Sequence, residues 1–115
     1  MSQTFVVSLL VYTGTDFDQT FVLEDVQSNT IKDLTGYTAC AQMRRYESSA
    51  KTADFLVSFA NDRTTGRITI SLLSSTTKNL KPGKYFYDVL ISDAAGTVTR
   101  AVEGTILVKR AVTRI

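Results

Sequence analysis

The stretch from Lys81 to Arg100 limits what this chain can fold into more than any other. Tyr85, Tyr87, Val89 and Ile91 recur at every second position, Pro82-Gly83 punctuates the start, and Ala94-Ala95-Gly96 interrupts the pattern before Val98 resumes it. Alternation at period two puts those four side chains on one face of a strand, and Gly96 supplies the positive φ that a short hairpin loop favours. A β-hairpin is predicted here, and it needs further strands, because a lone hairpin is at best marginally stable.

Those strands are legible in the rest of the chain. Thr4 to Tyr12 is apolar on both sides, with Phe5, Val7, Leu9 and Val11 on one face and Val6, Leu10 and Tyr12 on the other. Phe17, Gln19, Phe21 and Leu23 mark a half-buried strand after the Gly14-Thr15-Asp16 break, and Asp25 to Lys32 is polar and turn-rich. Asp33-Leu34-Thr35-Gly36 leads into Tyr37, Ala39, Ala41 and Met43, with Thr38, Cys40, Gln42 and Arg44 opposite. Glu47 to Thr52 reads as a loop, Phe55, Val57 and Phe59 as a strand, and Ile68, Ile70 and Leu72 as its hairpin partner across a turn at Asn61 to Gly66. Ser74 to Leu80 lacks alternation and is predicted as one short helical turn capped by Ser74 or Ser75.

In the last strand Val98, Val102, Ile106 and Val108 share the core parity, and Arg100 falls on it too, which requires either an edge position or a register shift. Gly104 is expected to bulge or to let another backbone approach. The tail 111–115 continues extended past the domain edge. Seven strands and no long amphipathic helix predict an all-β fold: one immunoglobulin-like antiparallel β-sandwich spanning 1–115, without the cysteine pair and tryptophan of antibody domains.

Composition argues against most chemistry. With no histidine and only Cys40, serine-type and cysteine-type triads and ordinary zinc sites lack their essential groups. Asp16 with Asp18, or Asp88 with Asp93, are the carboxylate pairs available for calcium or acid–base work, but neither has a specific spacing, and solvated or turn-capping acids explain them. The six glycines stand alone, so no phosphate-binding loop is present. The five tyrosines with scattered arginines offer sugar or base stacking, although aromatics at alternating strand positions serve a core more often. A net charge of +2 with dispersed basic residues does not favour nucleic acid. No apolar run is long enough for a membrane helix, and the start lacks a basic secretory signal, so a product made in the cytosol and free of membranes is expected. The reading is a non-enzyme with no cofactor and no metal.

Apolar material exceeds what one core needs. Phe86 and Leu90 point opposite to Tyr85 and Tyr87, and together with Val6, Leu10 and Tyr12 they are the predicted protein-interface residues.

Several segments resemble a known family in order and spacing: Gly14-Thr15-Asp16-Phe17, Asp33 to Ala39, Gly66 to Ile70, Pro82 to Val89, and Gly96 to Arg100 followed by Glu103-Gly104 and Val112-Thr113-Arg114. They are similar to short tailed-phage virion proteins with an immunoglobulin-like domain, in particular the N-terminal domain of baseplate upper proteins. The resemblance implies a structural subunit of the virion, in tail, baseplate or neck, made in the host cytoplasm. It further implies a homo-oligomer in a symmetric assembly with other virion structural proteins as partners. The alternatives are a capsid decoration protein and a surface-binding module for carbohydrate or host.

Overall fold

The period-two segments become the strands of two facing sheets in a computed structural model that describes residues 5–25, 30–46 and 48–113. In chain order the strands are β1 (Phe5–Val6), β2 (Leu9–Tyr12), β3 (Phe17–Val22), β4 (Glu24–Asp25), β5 (Thr30–Ile31), β6 (Thr38–Arg44), β7 (Lys51–Asp54), β8 (Leu56–Phe59), β9 (Arg67–Leu72), β10 (Gly83–Ser92) and β11 (Val98–Lys109). The larger sheet runs β1 and β2, β11, β10, β6, β7; the smaller runs β3, β9, β8; β4 and β5 form a separate short ribbon. With β1 and β2 taken as one broken strand, the predicted seven are all present, and β4, β5 and β7 are additional. Sequence segments falling on 1–4, 26–29, Glu47 and 114–115 lie outside the described residues.

The hairpin β10–β11 is the spine. Its turn is closed by Asp93, whose Oδ1 accepts from the N–H of Ala95 and of Thr97 at 2.9 Å each, while Gly96 takes φ 89°. Tyr85, at the start of β10, donates its hydroxyl to the Lys81 carbonyl at 2.7 Å, the corner contact found at the same place in immunoglobulin-like sandwiches. Inward side chains of β10 and β11, such as Val89, Val102, Ile106 and Val108, meet Ile68, Ile70 and Leu72 of β9 in a closed core. Phe55 links the layers: it packs edge-on to Tyr87 at 6.2 Å and lies 6.4 Å from Phe17.

Four local expectations are corrected by this architecture. Val98 shares parity with the core residues yet is exposed, because the register of β10 against β11 shifts between Val89 and Leu90. Ala101 is the extra residue there, and both Ala101 and Val102 are buried, so Arg100 is turned outward. Residues 51–52, expected in a loop, belong instead to the edge strand β7, Lys51 pairing with Arg44 and Thr52 falling at the register shift. Phe55, read as one strand with Val57 and Phe59, lies instead between β7 and β8: it donates to the Ala41 carbonyl of the larger sheet at 2.9 Å, and only from Leu56 does the chain pair with the smaller, beside Ser71. The helical turn α1 (Ser74–Thr77) forms, but Leu73 occupies the cap position, and the Ser74 N–H is taken by Asp16 Oδ1 at 2.7 Å.

Gly104 is the place where another backbone approaches. β1 and β2 pair with β11 in parallel, Phe5 beside Val102 and Leu9 beside Ile106, and the gap between them falls opposite Gly104. The Val7 carbonyl leans into the space a side chain at 104 would fill, and the Tyr87 hydroxyl donates to that carbonyl at 2.7 Å. Burial pushes the Tyr87 phenol up to about 12 from its ordinary 10.0. Because the folded state favours the neutral phenol, this contribution to stability is complete below pH 10 and is lost as pH rises through about 12. Urea unfolding at pH 9, 10.5 and 12 should show a drop that is smaller in Tyr87→Phe than in the unaltered protein; equal drops would remove Tyr87 as its cause.

Candidate functional site

All five residues singled out as interface candidates lie on the outer face of the larger sheet. β11 sits between β10 and the N-terminal strands, so two segments remote in sequence become neighbours. Val6 lies beside Glu103, Leu10 beside Leu107 and Tyr12 beside Lys109. On the other side Phe86 lies between Thr105 and Arg44, and Leu90 between Arg100 and Cys40. Val6 is 73% exposed, Leu10 45%, Tyr12 44% and Phe86 36%, while Leu90 is half-buried. Leu107, 45% exposed and in contact register with Leu10, belongs to the same patch and was missed. Its outward parity relative to Ile106 and Val108 is the signal that identifies it.

A groove of about 480 Å³ runs between the two apolar groups, with Val6 and Phe86 on its walls and Asp88, Arg100, Glu103 and Gln42 along its floor. The floor is an ordered polar network. Arg100 reaches Asp88 Oδ2 with Nε at 3.4 Å and Glu103 Oε2 with Nη1 at 3.2 Å. Arg44 donates to Gln42 Oε1 at 3.0 Å and to the Ser49 carbonyl at 2.7 Å. The Lys84 ammonium stands 5.4 Å from the centroid of the Phe86 ring, which gives that ring a charged rim. These ion pairs are half-exposed and contribute little stability, so their main effect is to hold the floor side chains in place.

The arrangement suits adhesion of one surface to another. Exposed aliphatic and aromatic side chains supply apolar area, and oppositely charged groups between them set register and orientation. The carboxylate pairs considered from sequence do not come together as catalytic dyads. Asp88 is held by Arg100 in mid-strand, Asp93 closes the hairpin turn, Asp16 caps α1, and Asp18 sits on β3 beside Ser71. Among the described residues no group of three or more His, Cys, Asp or Glu is placed to hold a metal ion. Tyr85 and Tyr87 are core residues, Tyr37 is half-buried, and Tyr12 and Tyr46 are exposed. Cys40 is exposed on the outer face of β6. Among the described residues no helix is long and apolar enough to cross a membrane.

No family model matches the chain, and no curated protein does. Solved structures with a similar fold include the SrpA adhesin of Streptococcus sanguinis, at 15% identity and TM-score 0.50 over 94% of this chain. Another is an internalin-like protein of Listeria monocytogenes, at 18% identity and TM-score 0.48, also over 94%. The chain spans 56% and 29% of those two chains. At such identity the likeness is one of fold.

Proposed function

We propose that this protein is a non-enzymatic structural subunit that works by contact, with itself and with other proteins of an assembly, through the outer face of its larger sheet. The observation that carries the reading is the placing of Val6, Leu10, Tyr12, Phe86 and Leu107 on one face, where Val6 and Phe86 line a groove with a fixed polar floor. An apolar patch of this kind, rimmed and floored by charges, is what protein contacts use. The setting we propose is a tailed-phage virion, in tail, baseplate or neck. Support for it comes from the resemblance in segments such as Pro82 to Val89 and Gly96 to Arg100.

Sedimentation of the purified chain over a rising concentration series tests the reading, with and without candidate neighbouring virion proteins. Concentration-dependent association, or binding to a neighbour, is expected. A clean monomer at every concentration that binds no neighbour would overturn it. A second reading, a surface-binding module for carbohydrate or host, is favoured by the exposed Tyr12 and Phe86 rings, which suit stacking on a sugar. Binding of the isolated chain to a glycan panel, lost on replacing those two rings, separates it from the first.

A further inference from the structure

Among the described residues the two facing sheets end in four edges, and three of them are guarded. β1 and β2 are interrupted at Val7–Ser8; β7 is four residues long, bears the Lys51–Asp54 ion pair and has a register shift against β6; β8 is also only four residues long. Breaks, short lengths and charges of this kind keep sheet edges from pairing with other chains. β3 has none of them. Its six residues run in unbroken register along β9, from Phe17 beside Leu72 to Val22 beside Arg67, with no Lys, Arg or Pro and with Asp18 as the one charge.

The open main-chain groups of β3 can be assigned. Leu23 donates to the Gly66 carbonyl at 2.8 Å, so the odd-numbered residues of β3 bond to β9. The side chains of Thr20 and Thr69 meet at 2.8 Å, as expected for the intervening pairs without main-chain bonds. The N–H and C=O of Asp18, Thr20 and Val22 therefore face away from the sheet. The Thr20 carbonyl meets the amide of Gln19 at 3.2 Å, a local bond that an incoming strand replaces.

We propose that this edge pairs antiparallel with the β3 edge of a second copy of the chain, about a two-fold axis at Thr20. An antiparallel edge is self-complementary, and this axis sets Thr20 against Thr20 and Asp18 against Val22. Even positions then stay with even positions, so outer face continues into outer face and core face into core face. Charge favours the same register. Arg67 lies beside Val22 on the outer face. The second copy's Asp18 falls on the other side of Val22, about 10 Å from Arg67 by the ordinary strand spacing, which the two side chains close across the small valine. The contact occurs twice, once on each side of the axis. A six-residue edge buries far less than the roughly 1,200 Å² of a stable interface, so this pairing is weak alone and counts when copies are already held together. It uses a different surface from the outer-face contact, and at high protein concentration it forms without that contact, only more weakly.

Thr20→Cys in a Cys40→Ser background tests the proposal under mild oxidation at high protein concentration. Cα atoms facing each other across the axis would be ~5.5 Å apart, which a disulfide spans. Covalent dimer is expected to form at least tenfold faster than for Thr69→Cys in the same background, which lies one strand further in. A rate equal to or below that of Thr69→Cys overturns the pairing. The register has its own check: Asp18→Arg should slow the crosslink several-fold, and adding Arg67→Asp should restore it. No slowing, or slowing without restoration, overturns the assigned register. Adding Phe86→Glu should leave the crosslink intact, so that failure of the edge and failure of the outer face are told apart.

Discussion

Gly104→Val is expected to lower the free energy of unfolding by about 3 kcal/mol, the upper range for forcing extra atoms into a packed site together with a lost hydrogen bond. The Cβ would collide with the Val7 carbonyl oxygen and press on the Tyr87 ring at 3.2 Å. Val7 must then retreat, and retreat breaks its bond from the Tyr87 hydroxyl and strains its N–H bond to the Glu103 carbonyl at 2.9 Å. The N-terminal strands are pinned to β11 at this gap, so the loss propagates to both β1 and β2. Gly96→Asn is the matched control: nothing lies within 4 Å of a Cβ there, and asparagine tolerates the φ of 89°. Urea unfolding of both variants decides the matter. A loss in Gly104→Val no larger than in Gly96→Asn would show that β1 and β2 do not need the close approach.

Phe86→Glu combined with Leu10→Glu is expected to weaken association by about 30-fold or more, the scale set by removing an interface anchor worth 2 kcal/mol. Both side chains are exposed, so the substitutions leave the core untouched. Phe86→Glu places a carboxylate beside a groove floor that already holds Asp88 and Glu103, adding like-charge repulsion, and Leu10→Glu removes apolar area beside Leu107. Far-ultraviolet circular dichroism should be unchanged, and the concentration series by sedimentation should shift toward monomer. Unchanged association by a folded variant would move the contact elsewhere on the molecule.

The elements were legible because period-two alternation is a local signal. Tyr85 to Ile91 marks a strand wherever its partners lie, and Gly96 marks its turn. Gly104 was legible too, since a lone glycine inside a strand pattern has few other uses. What was hidden depends on contacts remote in sequence. The alternation of Phe55, Val57 and Phe59 is the same whether the segment stays in one sheet or crosses to the other, so the break at Phe55 could not be read. The parallel pairing of β1 and β2 with β11 likewise leaves no mark in either segment, because alternation carries neither partner nor direction. Val98 was misplaced because the bulge at Ala101 shifts the register, and the one local hint was an arginine at a core-parity position.

The candidate face shows the same division. Single residues such as Val6 and Phe86 stand out as apolar positions on the wrong parity. Their assembly into one patch needs β11 between β10 and the N-terminal strands. The polar floor was not legible at all, since Asp88, Arg100 and Glu103 come together only after the register shift turns Arg100 outward.

The central claim is that this outer face is where the protein is held by its neighbours. Hydroxyl-radical labelling of side chains, compared between dilute chain and the chain within its assembly, reads it directly. The account predicts strong protection of Leu10, Tyr12, Phe86 and Leu107 on assembly, with Leu56, exposed on the smaller sheet, labelled as before. Unchanged labelling of those four residues, with protection elsewhere on the surface, would contradict it.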